Sequence, residues 1–534
     1  MTATSGRRAG LLLPLFSCPT STSWGIGDIG DVTHAARWLA GAGVSVLQLL
    51  PLNAMADGQH SPYSAISAMA IDPIFIRVPE VPEFAALGGV SALSAAQRNE
   101  LDRLQSMARV DYESVRRLKE QALALAFQRF LEVDWQRESA RARSLKAFLN
   151  DEAWWIDDYA LFCALHEREA RPWTEWPEGL RRRDPAALAA ASSDLEREML
   201  RHQYLQWIAA TQWRAARSAA ADAGVRLFGD LPFMVDGESA DVWAHQEDFI
   251  LDASVGVPPD AFSATGQDWG MPVYRWDVIA AGDYQWLRKR ARRSAALYDG
   301  YRVDHLVGFY RTYARPRNGG EPFFTPALEP EQVALGEQTL AIFLEAGAEI
   351  IAEDLGIVPD FVRASLARLG VPGFRIFRWE RRWHVPGHPF RDPAEYPALS
   401  VAASGTHDTE SMRVWWERAD IDEHEQVSDL PTIRRVTGGR SLLDLPPNPD
   451  VRDALLEALY ASGSRLFLAP VPDVFGWTAR INEPATISDD NWTFRLPWLL
   501  DRLDETPEAA ERQAKLRAWG LEYGRTKPRP QPPL

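Results

Sequence analysis

The chain contains 534 residues, of which 46% are hydrophobic, and carries a formal net charge of −16. This hydrophobic fraction supports a packed globular core and excludes an intrinsically disordered chain. The negative charge disfavours nucleic acid and anionic membrane surfaces as partners. Only two cysteines occur, Cys18 and Cys163, so the sequence predicts neither a disulfide framework nor a cysteine-based metal site.

The N-terminal segment allows two interpretations. Arg7 and Arg8 precede a short apolar run that ends at Cys18, which imitates an export signal with a lipid-modified cysteine. However, the run is brief, contains Pro14 and occupies the place of a first barrel strand. No apolar stretch of the sequence reaches the length of about 18 residues that a membrane helix requires. The sequence therefore favours a cytoplasmic protein.

Short apolar stretches, most of them followed by polar residues or glycine, predict eight β-strands. They are residues 10–16, 44–52 and 225–232, a stretch that ends at Asp304, a stretch that ends at Glu353, and residues 373–379, 399–405 and 465–470. Helical segments separate most of them, for example residues 32–39 and 361–369. Alternating strands and helices predict an α/β fold with a parallel sheet, and eight such units predict a closed (β/α)8 TIM barrel.

Insertions divide the predicted barrel. Residues 1–78 supply the first two strands, residues 79–224 form a mostly helical insertion subdomain, and residues 225–534 complete the barrel. Within the last part, residues 236–283 are rich in glycine, proline and aromatic residues and predict a loop insertion, whereas residues 421–449 form a polar insertion. The sequence predicts no C-terminal β-sandwich and no calcium loop.

Charged residues stand at the end of the fourth predicted strand. Side chains two positions apart on a strand point the same way, so Arg302 and Asp304 share one face. A neighbouring arginine favours the ionised form of a carboxylate. An ionised carboxylate at a strand end suits the nucleophile of a covalent glycosyl transfer. A structural ion pair is the alternative, and this pair alone would favour it.

Two later acids strengthen the catalytic interpretation. Glu353 follows Ile350, Ile351 and Ala352, and burial there would raise its pKa, as a general acid requires. The adjacent Asp354 either adds to this effect or is itself the acid. Neighbouring parallel strands lie about 4.8 Å apart, which suits the 5–5.5 Å or so between the two carboxyl groups of a retaining enzyme. Asp408 would stabilise an oxocarbenium-like transition state.

Further segments extend the pattern over nearly the whole chain. They are residues 25–30, 61–64, 229–233, 239–243, 256–274, 302–305, 352–356, 405–409 and 480–484. Together they resemble the 4-α-glucanotransferase family (amylomaltase or disproportionating enzyme, glycoside hydrolase family 77), which is related to the α-amylases. The set as a whole is specific, although no single segment would be.

This resemblance implies the role of each candidate residue. The catalytic residues would be Asp304 as nucleophile, Glu353 as acid/base and Asp408 as transition-state stabiliser. Residues 256–269 would form a defined loop that no regular element could replace, covering the bound glucan. The substrate-binding candidates, in the loop and around the transferred glucose, are Tyr63, Asp230, Asp260, Phe262, Trp269, Arg302, His305 and His407.

The implied activity is transfer of α-1,4-glucan segments to the 4-hydroxyl of glucose or another glucan, by a retaining double displacement. The implied substrates are maltooligosaccharides and glucans derived from starch or glycogen, with no metal and no cofactor. Met271, Ala485 and the turn Leu306–Phe309 depart from common family patterns without removing a catalytic acid. An amylase-like α-glucan hydrolase and a non-catalytic glucan-binding protein are the alternatives.

Overall fold

A computed structural model describes residues 6–56, 58–259, 266–484, 486 and 488–526 of the chain. The strands of this part, numbered in chain order, are β1 Arg8–Leu12, β2 Val46–Gln48, β3 Arg226–Leu231, β4 Phe249–Val257, β5 Gln267–Tyr274, β6 Gly300–Val303, β7 Thr312–Pro316, β8 Phe323–Thr325, β9 Glu349–Ala352, β10 Gly373–Ile376, β11 Ser400–Ala403 and β12 Leu466–Pro470.

Eight parallel strands close into a barrel in the order β1-β12-β11-β10-β9-β6-β3-β2. Each coincides with one of the eight strands predicted from the sequence, so the predicted (β/α)8 barrel is confirmed. Apolar side chains fill the barrel interior, because alternate residues of each strand point inward. Val46, Phe228, Ile351, Phe374 and Leu466 belong to this inner core.

Helices cover the outside of the barrel. The one that follows β1 is α1, Asp31–Gly41, which confirms the helix predicted at 32–39. The predicted helical insertion consists of α2 Pro82–Ala86, α3 Ala95–Ser106, α4 Tyr112–Phe130, α5 Ala140–Glu169, α6 Glu178–Arg181, α7 Pro185–Asp194 and α8 Glu196–Asp222. Several of these helices begin after a capping residue whose side chain accepts a hydrogen bond from a backbone N–H of the first turn. Ser94, Asp111 and Ser139 cap α3, α4 and α5 in this way.

The remaining α-helices follow β3 in the chain. They are α9 Ala240–Ala244, α10 Trp276–Ala281, α11 Gln285–Leu297, α12 Glu329–Glu345, α13 Asp360–Leu369, α14 Met412–Arg418, α15 Ile421–Ser428, α16 Pro431–Val436, α17 Arg452–Tyr460, α18 Val471–Phe475 and α19 Pro507–Glu522. The helix predicted at 361–369 is therefore confirmed. The polar insertion predicted at 421–449 contains two short helices, α15 and α16.

A second sheet stands beside the barrel, where the sequence predicted a loop insertion. Its four antiparallel strands run in the order β5-β4-β7-β8. The expectation of a loop without regular elements over residues 256–269 is wrong at both ends of that segment, because β4 ends at Val257 and β5 begins at Gln267. Proline interrupts the hydrogen bonds of a strand unless it lies at a sheet edge or beyond the strand end. Pro258 and Pro259 follow the end of β4, and Pro272 lies in the edge strand β5, so these prolines do not prevent β4 from pairing with β5 and β7.

Every helix in the described ranges is too short or too polar to span a membrane. Cys18 and Cys163 are buried and form no disulfide.

Candidate active site

Four carboxyl groups converge at the C-terminal end of the barrel. Asp230 lies in β3, Asp304 and Glu353 directly follow β6 and β9, and Asp408 lies five residues after the end of β11. In the β6–β9 register, Val303 pairs with Ala352. Asp304 and Glu353 are therefore corresponding residues on neighbouring strands, about 4.8 Å apart in backbone spacing.

Arg302 binds two of these acids. Its Nη1 donates to both carboxylate oxygens of Asp230, at 2.8 Å each, and its Nη2 donates to Oδ1 of Asp304 at 2.7 Å. The Arg302 side chain is 5% exposed and that of Asp230 is fully buried. Burial acts to lower the pKa of Arg302, but Asp230 and Asp304 raise it well above its ordinary value. The guanidinium therefore stays charged and fixes both carboxylates.

Glu353 lies in a different environment from Asp304. Its Oε2 accepts a hydrogen bond of 2.6 Å from the backbone N–H of His305, a residue in the left-handed region with φ 41°. Burial raises the pKa of Glu353 to about 8, Arg302 opposes this rise, and Asp304 adds to it. Near pH 7 the Glu353 carboxyl is therefore largely protonated and can donate a proton.

The neighbouring Asp354 has structural partners. Its Oδ1 accepts a hydrogen bond of 2.7 Å from the backbone N–H of Phe374 in β10, and Arg375 and Arg363 lie 3.5 and 3.7 Å from its Oδ2. The carboxyl group thus occupies the space beside Gly373, where an added Cβ would lie 2.4 Å from it. This position links two strands of the barrel and leaves Glu353 as the acid that faces Asp304.

Asp408 is oriented by a segment near the C-terminus. Asn482 donates from Nδ2 to Oδ1 of Asp408 at 2.6 Å, and Arg480 donates to its backbone carbonyl at 2.7 Å. Nε2 of His407 lies 3.3 Å from Oδ2 of Asp408. Burial lowers the pKa of His407 and Asp408 opposes this shift, so burial favours the neutral imidazole.

Tyr63 links Asp230 to His407. Its hydroxyl donates to Oδ2 of Asp230 at 3.0 Å and lies 3.1 Å from Nε2 of His407. The tyrosine ring stacks on the His407 imidazole, with 5.5 Å between centroids. Trp492 contacts both rings, so these aromatic groups form one wall of the site.

An aromatic cage surrounds His305. The rings of Phe233 and Trp269 lie 5.2 and 4.8 Å from its imidazole. Burial lowers the pKa of His305 to about 4, so this side chain is neutral. Trp269, in β5, thus contacts His305 from the second sheet. Of the predicted glucan contacts, Asp260 and Phe262 lie outside the described residues.

The structure adds residues that the sequence interpretation did not select. Asn482, Trp492 and Phe233 contact predicted site residues directly. Asn482 lies in the segment 480–484, which was noted for its resemblance but received no role. Among the described residues, no cluster of histidine, cysteine, aspartate and glutamate side chains is arranged to hold a metal ion.

Comparisons with known proteins agree with this geometry. The sequence profile of the 4-alpha-glucanotransferase family matches residues 13–501. A 4-alpha-glucanotransferase of Thermus thermophilus is 34% identical over 505 residues, covering 92% of this chain and 95% of the relative. One of Chlamydia pneumoniae is 31% identical over 501 residues, covering 92% of each chain.

A solved structure is also similar. The amylomaltase from Streptococcus agalactiae, in complex with acarbose, superposes with a TM-score of 0.79 at 28% identity, covering 98% of this chain and 100% of that chain. A family profile that spans most of the sequence, a relative above the 30% identity level and a matching barrel lead to one conclusion. The chain belongs to the 4-alpha-glucanotransferase family.

Proposed function

We propose that this enzyme transfers α-1,4-glucan segments to the 4-hydroxyl of glucose or another glucan by a retaining double displacement. The observation that carries the proposal is the contrast between Asp304 and Glu353. They follow paired residues on neighbouring strands, yet Arg302 binds one of them, while burial raises the pKa of the other to about 8. A charged nucleophile and a neutral acid are what the first step requires.

In the first step, Asp304 attacks C1 of the donor glucose. The C1–O bond breaks, and Glu353 transfers its proton to the departing 4-oxygen of the leaving chain. A covalent β-glucosyl ester on Asp304 results. Asp408 stabilises the positive charge that develops on the sugar ring, in an orientation fixed by Asn482.

In the second step, Glu353 acts as a base. It removes the proton from the acceptor 4-hydroxyl, whose oxygen attacks C1 and displaces Asp304. Two inversions restore the α configuration. Arg302, Asp230, Tyr63, His305 and His407 line the pocket in which the transferred glucose is bound.

Water competes with the acceptor glucan in this second step. A bound and oriented acceptor has an effective molarity on the order of 10⁵ M or more, so transfer exceeds hydrolysis. We propose that strands β4 and β5 assist by covering the site, because Trp269 of β5 contacts the His305 ring directly. Asp260 and Phe262, which lie between these strands in the sequence, remain candidate contacts to the glucan.

The test is incubation of the purified protein with maltotriose alone. Disproportionation produces a ladder of longer and shorter chains with little gain in reducing ends. Shorter sugars with rising reducing ends would instead indicate a hydrolase, and unchanged maltotriose would favour a glucan-binding protein. A cytoplasmic location is also proposed, and the burial of both cysteine thiols without a disulfide suits a reducing compartment.

A further inference from the structure

A buried arginine beside the site has no role in the mechanism described above. Arg290, in α11, is 1% exposed. Its Nη1 donates to the carbonyl of Phe233 at 2.9 Å and to the hydroxyl of Tyr274 at 2.7 Å, and its Nη2 donates to the carbonyl of Pro232 at 2.5 Å. All three acceptors are neutral oxygens. Burial of a cation is costly, so the position of the Arg290 guanidinium requires an explanation.

The acceptors belong to two different parts of the molecule. Pro232 and Phe233 directly follow β3, which carries Asp230. Tyr274 is the last residue of β5, which carries Trp269. The Tyr274 hydroxyl also donates to the carbonyl of Phe233 at 3.2 Å. One guanidinium thus joins the end of a barrel strand to the sheet that stands beside the barrel.

The joined segments supply both rings of the cage around His305. Phe233 comes from the first and Trp269 from the second, and their own centroids lie 6.2 Å apart. The turn at Leu306–Phe309 is shaped to receive Phe233, since a Cβ added to Gly308 would lie 2.3 Å from the Phe233 ring. Gly308 therefore has a packing reason, because any larger residue there would collide with Phe233.

His305 connects this cage to Glu353, the proposed acid/base. Its side chain is held by the cage, and its backbone N–H donates to Oε2 of Glu353 at 2.6 Å. A short hydrogen bond from a backbone N–H stabilises the ionised form of a carboxyl group and also fixes its direction. The position of this backbone amide thus fixes where Glu353 points and contributes to how readily it releases its proton.

We propose that Arg290 is a positioning residue: it holds Phe233 and Tyr274 in place, and through the cage and His305 it sets the direction and acidity of Glu353. This inference rests on the proposed acid/base role of Glu353. Loss of the guanidinium would let the His305 N–H move away from Oε2. We expect kcat for maltotriose to fall roughly 10- to 100-fold, because small displacements of a catalytic group are costly.

The pH dependence gives a readout that general destabilisation does not produce. When the N–H bond to Glu353 weakens, the ionised carboxylate loses support and the pKa of Glu353 rises. The basic limb of the kcat/KM profile, which reports the acid in the free enzyme, moves to higher pH. KM for maltotriose changes less than kcat, because the hydrogen bonds of Arg290 go to Pro232, Phe233 and Tyr274 and not to the side chains proposed to bind the sugar.

The same helix offers a matched control. Arg293 is 5% exposed, donates from Nε to the carbonyl of Met69 at 2.7 Å and lies over the Trp155 ring. These contacts lead to Met69, ahead of the helical insertion, and to Trp155 within it, and not to Phe233 or Tyr274. Arg290→Met and Arg293→Met each remove a buried guanidinium from the same helix, so their comparison separates the positioning effect from the loss of a buried cation.

The experiment records pH profiles of kcat/KM for Arg290→Met, Arg293→Met and Tyr274→Phe, all below their thermal unfolding temperatures. We expect Arg290→Met to lose activity with its basic limb at higher pH, Tyr274→Phe to change in the same direction by less, and Arg293→Met to keep the parent profile. An unchanged basic limb in Arg290→Met, or an equal change in Arg293→Met, would overturn the proposal.

Tyr274→Phe decides the question if Arg290→Met does not fold, because it removes one hydroxyl and retains the arginine. A parent-like profile in that variant contradicts the proposal. Failure of the underlying mechanism is recognised separately, because Glu353→Gln would then retain parent activity. Parent-like behaviour of the Arg290 and Tyr274 variants beside an inactive Glu353→Gln would refute the role of Arg290 alone.

Discussion

The barrel mouth and the sheet beside it position side chains in different ways. At the mouth, Asp230, Asp304 and Glu353 stand at the ends of parallel strands in continuous register. In the adjacent sheet, the pairing of β4 with β5 shifts its register twice between Phe249 and Val257. The groups that we propose to react thus stand on the regular element, whereas Trp269, which we propose to cover them, stands on the irregular one.

This difference has a physical reason. A parallel barrel strand is hydrogen-bonded on both edges, so the side chain at its end has little freedom, and catalytic groups tolerate only small displacements. Strands β4 and β5, which we propose to cover the site, pair irregularly, and such irregularities bend a strand and re-aim its side chains. Arg290 and His305 lie where the two regions meet. The following predictions test this division, from the largest effect to the smallest.

The largest effect is expected from Asp304→Asn. The amide cannot form the glucosyl ester, so transfer activity should fall by a factor on the order of 10⁴ or more, while glucan binding persists. Rates of maltotriose disproportionation and a binding titration check both statements. Asp299→Asn, at the opposite end of the same strand and bound to Arg217, is the control, and we expect it to retain activity. Near-normal turnover by Asp304→Asn would refute the nucleophile.

Glu353→Gln should lower activity about 10²- to 10⁴-fold with glucan donors, the usual contribution of a general acid. The loss should be smaller with donors whose leaving group needs no proton. Glu349→Gln is a control on the same strand, because Glu349 binds Arg8 and Arg226 at the other end of the barrel. Equal losses with both donor types would contradict the acid role.

The raised pKa of Glu353 also predicts two pH effects. Activity should fall as the pH rises through about 8, where the acid loses its proton. The folded-state pKa lies above the ordinary value of 4.5, so Glu353 costs stability increasingly as the pH rises from about 4.5 to about 8. Glu353→Gln should therefore raise the Tm more at about pH 8 than at about pH 4.5. A Tm difference that does not change with pH would contradict the buried neutral acid.

Asn482→Ala should have a smaller effect. It removes the hydrogen bond that orients Asp408, and we expect a loss of about 10- to 100-fold in kcat, equivalent to about 1.4–2.8 kcal/mol. KM should change little, because the hydrogen bond orients Asp408, whose proposed role is to stabilise the transition state. A loss confined to KM would show instead that Asn482 binds the glucan in its ground state.

The smallest change in activity is expected from Asp354→Ala. This variant leaves the Phe374 N–H without its acceptor, which should cost about 1–3 kcal/mol of unfolding free energy. Activity at 25 °C should stay within about tenfold of the parent, since the group faces away from Asp304. Denaturant unfolding and initial rates measure the two quantities. A loss of activity as large as that of Glu353→Gln would make Asp354 the catalytic acid.

The barrel and the central acids could be predicted because both depend on local patterns. Apolar strands that end in charged residues indicate a parallel barrel and its functional end, and the spacing of Arg302 and Asp304 predicts their shared face, which their hydrogen bond confirms. The support of Asp408 could not be predicted in this way, because Asn482 lies 74 residues further along the chain.

The second sheet was also beyond local prediction. β4 pairs with β7, which follows α11 and the barrel strand β6 in the chain. No periodicity within residues 236–283 indicates that pairing. The same applies to the Phe233–Trp269 cage, whose two rings come from different segments and come together beside His305. Residues 260–265 lie outside the described residues, so Asp260 and Phe262 stay predictions.

The most direct test of the account is to trap the covalent intermediate in Glu353→Gln. An α-maltosyl fluoride without its non-reducing 4-hydroxyl needs no proton for its leaving group and cannot serve as its own acceptor. Peptide mapping by mass spectrometry should then find a maltosyl adduct on Asp304, released when an acceptor nucleophile such as azide is added. An adduct on another residue, or fluoride release without any adduct, would contradict the double displacement through Asp304.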